Sequence, residues 1–181
     1  VTVPSNLEVG LKEWSPQNIS IKTNPEAIIW AVDGVDDNSV AFAARLMEKG
    51  VEVRIIDKEA LLSKQTLSRG SIAVLAMDNP EYQDLSETVN SIATDLDISV
   101  LSIESGFGAE ELPDWGGRHF RLLERPQIAI LSQSGFSSYD VGVSWWSLDH
   151  HLGIRHSQID ASLVNYCLLY TSDAADDDTR V

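Results

Sequence analysis

The side chains able to carry hydrolytic chemistry are few, and their spacing is wrong for the common arrangements. Zinc-dependent hydrolysis needs imidazole and carboxylate ligands that converge and leave one position open. The histidines are His119, His150, His151 and His156, and none has Glu three positions later. Neither His-x-x-Glu nor His-Glu-x-x-His therefore occurs. His151 and His156 flank Gly153, a residue suited to ending a helix, where the negative end of the helix dipole favours solvated imidazoles.

Nucleophilic catalysis has one candidate. Gly-x-Ser-x-Gly is absent. The run Ser132-Gln-Ser-Gly-Phe-Ser-Ser138 falls where a strand pattern meets a helix pattern. Ser134, Ser137 or Ser138 with His150 would make a serine hydrolase, although the same residue types serve as helix caps and tight turns. The sole cysteine, Cys167, can form neither an internal disulfide nor a cysteine-based zinc cage. Nucleotide-binding motifs are missing as well. Gly106-Phe-Gly108 continues into Ala-Glu-Glu, so the dinucleotide fingerprint is incomplete, and no P-loop spacing exists. Asp33, Asp36 and Asp37 follow the first apolar run, where they would repel a phosphate and suit turns, caps or a cation. No catalytic, cofactor-binding or metal-ligating residue is assigned on these grounds, and no cofactor is expected in this chain.

The elements that would position such residues read as α/β. Ala27–Val32 is a buried strand pattern, followed by an Asp/Gly turn and a helix. Asp37 or Asn38 is placed to cap that helix, Val40, Ala43, Ala44 and Met47 share one face, and Gly50 ends it. Val51–Ile56 is the next strand. Ser71–Met77 is a continuous apolar run, as in a strand covered on both faces. Leu85, Val89, Ile92 and Leu96 then form one helical stripe, and Ile98–Ile103 is another strand. After a Gly-rich, linker-like stretch, Gln127–Leu131 reads as a strand. Ser137 with Asp140 suggests a capping box, and Val141, Trp145, Leu148 and Leu152 form a core stripe. Trp146 lies off that stripe and is placed to contact another domain, as is Trp115. Ile154–Ile159 starts a further strand.

The expectation is a mostly parallel sheet with helices on both faces, flavodoxin- or class I glutamine amidotransferase-like and truncated. Residues 1–25 are an irregular segment, 26–104 a βαβ-repeat unit, 105–125 a Gly-rich linker, and 126–165 the truncated start of a second α/β unit. Residues 166–181 fit neither helical nor strand period. They resemble the peptide made when sequencing-adapter DNA in assembled metagenomic reads is translated, and are expected to be a non-native tail.

The 181 residues are 43% hydrophobic and 23% charged, with a formal net charge of −15. That composition fits a globular domain and disfavours nucleic acid and anionic lipid, which need Lys/Arg patches. No apolar run approaches the roughly 20 residues that span a bilayer. Val1-Thr-Val-Pro4 has neither an initiating Met nor a signal-peptide pattern, so the chain is expected to begin inside a longer protein.

Asp114-Trp-Gly-Gly-Arg-His-Phe-Arg-Leu-Leu-Glu-Arg-Pro-Gln-Ile-Ala-Ile-Leu131, Gly135-Phe-Ser-Ser-Tyr-Asp-Val-Gly-Val-Ser-Trp-Trp146 and Leu148-Asp-His-His-Leu-Gly-Ile154 resemble the C-terminal accessory region of large bacterial zinc carboxypeptidase-like proteins. Val40–Ile56 and Arg69-Gly-Ser71 resemble it too. In that family a carboxypeptidase-A-like catalytic domain comes first. The accessory region ends in a fold like class I glutamine amidotransferases without the nucleophilic cysteine. The resemblance implies a parent that removes C-terminal residues from peptides with zinc, in the periplasm or outside the cell. It also implies that this chain is a non-catalytic accessory or scaffold segment, with the upstream catalytic domain of the same polypeptide as its partner. The zinc ligands lie in that upstream domain and have no counterpart here. The alternative is a small-ligand-binding α/β domain without catalysis.

Overall fold

The computed structural model describes residues 27–109, 112–133 and 135–164. The N-terminal segment 1–25, the tail 166–181 with Cys167, and Ser134 lie outside the described residues.

The first helix, α1 (Ser39–Glu48), links two strands that run in the same direction, β1 (Ile29–Val32) and β2 (Arg54–Ile56). A hairpin follows, β3 (Ala60–Leu62) and β4 (Gln65–Leu67). Next come β5 (Ile72–Leu75), α2 (Leu85–Asp95), β6 (Leu101–Ile103) and β7 (Phe120–Leu122). Five of these strands form one sheet in the order β6-β1-β5-β2-β7, with every neighbouring pair antiparallel. The two helical crossovers interlock. β5 lies between β1 and β2, and β1 lies between β5 and β6. This is the split βαβ arrangement of ferredoxin-like sheets, extended by β7.

The expected mostly parallel, flavodoxin- or amidotransferase-like sheet is therefore corrected. β1 and β2 do share a direction, as a βαβ reading requires, but an antiparallel strand separates them. Helix-and-strand alternation reports crossovers and is silent about insertion between their ends. The continuous apolar runs misled for a related reason. All four residues of β1 and of β5 are buried, which shows that both faces are covered, not that neighbours are parallel.

The covering layers differ, and helices do not occupy both faces. On one side Trp30, Val32, Ile72 and Val74 pack with Phe42 and Leu46 of α1 and with Val89 and Ile92 of α2. On the other, Ile29, Ala31, Ala73 and Leu75 pack with Ala60 and Leu62 of the hairpin and with Trp115 and Phe120. The Gly-rich stretch 105–125 thus carries two core aromatics and strand β7. The α2 stripe of Leu85, Val89, Ile92 and Leu96 is buried as its spacing predicts. On α1, Val40 is exposed, and Ala41, Phe42 and Leu46 fill the core with Ala43 and Ala44. Gly50 takes φ 83°, the left-handed value that ends α1. Asn38 occupies the N-cap of α1 without a capping bond. Its Nδ2 instead donates to the Leu96 carbonyl at 2.9 Å, joining the start of α1 to the end of α2.

Residues 128–160 form a separate parallel unit. β8 (Ile128–Ser132) pairs in parallel with β9 (His156–Asp160) across α3 (Ser138–Trp146) and one π-type turn (Ser147–Leu152). Gly153 at φ 68° closes that turn. This unit docks on the C-terminal half of α1. Leu152 packs against the helix-side core, and Ile154 is buried. Arg45 donates to the His151 carbonyl at 3.3 Å. Glu48 accepts from Arg125 at 2.8 Å and from Arg155 at 2.7 Å.

Candidate functional site

Among the described candidates, Ser137 and Ser138 are not brought together with His150. Ser137 and Ser138 stand at the N-terminus of α3, whereas His150 lies beyond its C-terminus in the π-type turn. At about 1.5 Å of rise per residue, roughly 18 Å of axis separates Ser138 from His150. No proton relay spans that distance. His150 packs edge-on against Trp145 at 5.3 Å and stacks on Trp146 at 6.0 Å between ring centroids. Ser137 sits at the N-cap position foreseen for it, but its side chain makes no capping bond.

One histidine–carboxylate pair was not foreseen. His119 Nδ1 and Asp57 Oδ1 are 2.7 Å apart, although 62 positions separate them in the chain. The Asp57 N–H also donates to the His119 carbonyl at 3.0 Å, so the pair staples the end of the β2–β7 ladder. Arg118 Nε donates to His119 Nε2 at 3.4 Å. That contact occupies the lone pair a general base would use. Pairing between strands so far apart in sequence leaves no local pattern to read.

Among the described residues, no group of His, Cys, Asp or Glu is arranged to hold a metal ion. Asp33 and Asp36 accept bonds from the backbone N–H groups of Val35 and Asn38, the turn role open to them from sequence. No described helix is long and apolar enough to cross a membrane.

Two cavities flank β8. One of about 600 Å³ lies at its N-terminal side, beside Arg125, Arg155 and His156. Both guanidinium groups there are engaged by Glu48, which leaves the cavity poorly equipped for an anion. The other, of about 400 Å³, opens at the carboxyl end of β8, between that strand, α3 and β9. The carboxyl ends of parallel strands are where α/β units bind ligands.

α3 itself is unusual in having no buried residue. Tyr139, Val143 and Trp146, spaced four and three apart, form one outward stripe and are 85%, 67% and 57% exposed. Val141 and Trp145 lie on the other side of the helix, roughly 150° away, and line the 400 Å³ cavity. The expected core stripe Val141, Trp145, Leu148 and Leu152 is therefore on the inner side of the helix, but only partly covered. Trp146 lies off it, as its spacing predicted.

The chain matches no protein-family model, and no curated protein or solved structure is significantly similar to it.

Proposed function

We propose that this chain is a non-catalytic accessory segment of a zinc carboxypeptidase-like protein, and that its partner is the upstream catalytic domain of the same polypeptide. The observation that carries this reading is the outward stripe of α3. Tyr139, Val143 and Trp146 present contiguous apolar surface that a partner would remove from water. The strings that resemble the carboxypeptidase-like accessory region, residues 135–146 and 148–154, are the ones that build α3 and its π-type turn. In this reading zinc belongs to the catalytic domain, and this chain supplies a folded platform.

The test is the source DNA on the 5′ side of the Val1 codon. A continuous frame encoding His-x-x-Glu and a later His supports the assignment. A start codon directly before Val1 overturns it. In the longer polypeptide, the Trp146 ring should be shielded from acrylamide relative to the 181-residue chain. Equal quenching would remove α3 as the contact.

A further inference from the structure

The cavity at the carboxyl end of β8 has a lining unlike the rest of this acidic surface. Phe136, Val141 and Trp145 supply apolar wall, and Gln133, Gln158 and Ser138 supply polar atoms. Among the described residues no Asp, Glu, Lys, Arg or His lines it, although the chain carries a net charge of −15. At about 400 Å³ it falls within the size range of small-molecule sites, which combine mostly apolar walls with a few placed polar groups.

The polar groups are available. Among the described residues, no hydrogen bond occupies the side-chain amide of Gln133 or Gln158. Each amide offers two donors and an acceptor. Gln133 adopts φ 61°, the left-handed region uncommon for a residue with a side chain, and Gly135 follows at φ 92°. That backbone places Gln133 at the strand-to-helix turn, while Gln158, the strand partner of Ile130, lines the same cavity from β9. The two amides and the Trp145 indole thus border one space from three elements.

We propose that this cavity binds an uncharged pyranose sugar. The chemistry of the lining selects it. A pyranose ring has an apolar face of C–H groups that packs on an indole. Its hydroxyls are paired donors and acceptors, which amide side chains match on both counts. A nucleotide or sugar phosphate would bring charge into a lining without a cation, on a protein whose overall field repels anions. A purely aliphatic ligand would leave both glutamine amides unpaired. The inference is independent of the accessory-segment reading, because α3 presents its outer stripe to a partner and its inner side to the cavity.

The test uses the 181-residue chain with D-glucose, D-galactose and N-acetyl-D-glucosamine as probes, followed by saturation-transfer NMR. D-glucose and glucose 6-phosphate form a matched pair that differs only by the phosphate. At least one neutral sugar should show transfer from the aromatic protons, and the phosphorylated form should bind at least tenfold more weakly. Gln158→Ala changes an exposed strand residue and should weaken binding by on the order of fivefold, the loss of one hydrogen bond. Trp145→Ala should abolish transfer. Should that variant lose its far-ultraviolet dichroism, Trp145→Phe replaces it, with retained binding expected because a ring face remains. Absence of binding by all the neutral sugars, tighter binding of glucose 6-phosphate, or affinity unchanged in Gln158→Ala and Trp145→Ala would each overturn the proposal.

Discussion

Glu48 joins the two parts of this protein, and replacing it with Gln tests how. Its carboxylate accepts from Arg125 at 2.8 Å and from Arg155 at 2.7 Å, and one of its oxygens also accepts the Arg155 backbone N–H at 3.2 Å. The Glu48 side chain is 12% exposed, whereas the Arg125 and Arg155 side chains are 45% and 74% exposed. Exposed pairs contribute about 0.2–1 kcal/mol each. The sheltered carboxylate and its two guanidinium partners move this site toward the top of that range, so the pairs together hold the βαβ unit to α1 by about 1–2 kcal/mol. Glu48→Gln keeps the shape and removes the charge. The docked-to-undocked ratio should then fall by roughly 5–30-fold. Amide hydrogen exchange reads this directly. The Arg155 and Ile154 amides at the seam should exchange faster by that factor, and those of β1 and β5 should not change. Equal acceleration throughout would show that Glu48 supports global stability, and no acceleration would show that the pairs are ornamental.

The same carboxylate predicts a pH dependence. Burial raises its pKa, but the hydrogen bonds from Arg155 and Arg125 outweigh that and hold it below the usual glutamate value. A carboxyl depressed in the folded state contributes stability that is full above its unfolded pKa and lost as pH falls through the folded one. Seam amides should therefore be insensitive to pH near neutrality, after correction for intrinsic exchange. They should lose protection only in the acid range below ordinary glutamate titration, and Glu48→Gln should abolish that step. Asn79→Ala should cost about 2–3 kcal/mol by urea unfolding, because its buried side chain bonds Glu52 N, Glu52 O and Leu75 O; a change under about 0.5 kcal/mol would contradict that. Phe42→Ala, at a fully buried position, should cost about 3–5 kcal/mol. Gly34→Ala should also destabilise strongly, since a Cβ there would overlap the Gly70 and Ser71 backbone. Any ester hydrolysis should be unchanged in Ser138→Ala and His150→Ala, and a parallel loss in both would restore the hydrolase reading.

Local elements were legible because their causes are local. The α2 stripe, the Gly50 and Gly153 stops and the apolar runs of β1 and β5 follow from side-chain period and backbone freedom at single residues. Sheet order did not follow, because the insertion of β5 between β1 and β2 is decided by packing among segments far apart in the chain. The hairpin β3–β4 escaped notice since its turn, Ser63-Lys64, holds two non-glycine residues at positive φ, without the usual glycine signal. For the cavity, Gln133 and Gln158 carried no motif. Their shared space exists only once β8 and β9 are paired, and Trp145, read as core, proved to be wall.

The interlocked sheet also sets an order of events during synthesis. β1 sits inside the sheet between β6 and β5, and both of these partners come much later in the chain. At roughly 5–20 residues per second, Ile29–Val32 must wait seconds for the first of them. Throughout that wait a fully apolar strand has no sheet to join, and non-local pairing of this kind folds slowly once it starts. The emerging chain is therefore a natural client for a chaperone that holds short hydrophobic segments, and expression yield should respond more to translation speed near β5 than to any surface substitution.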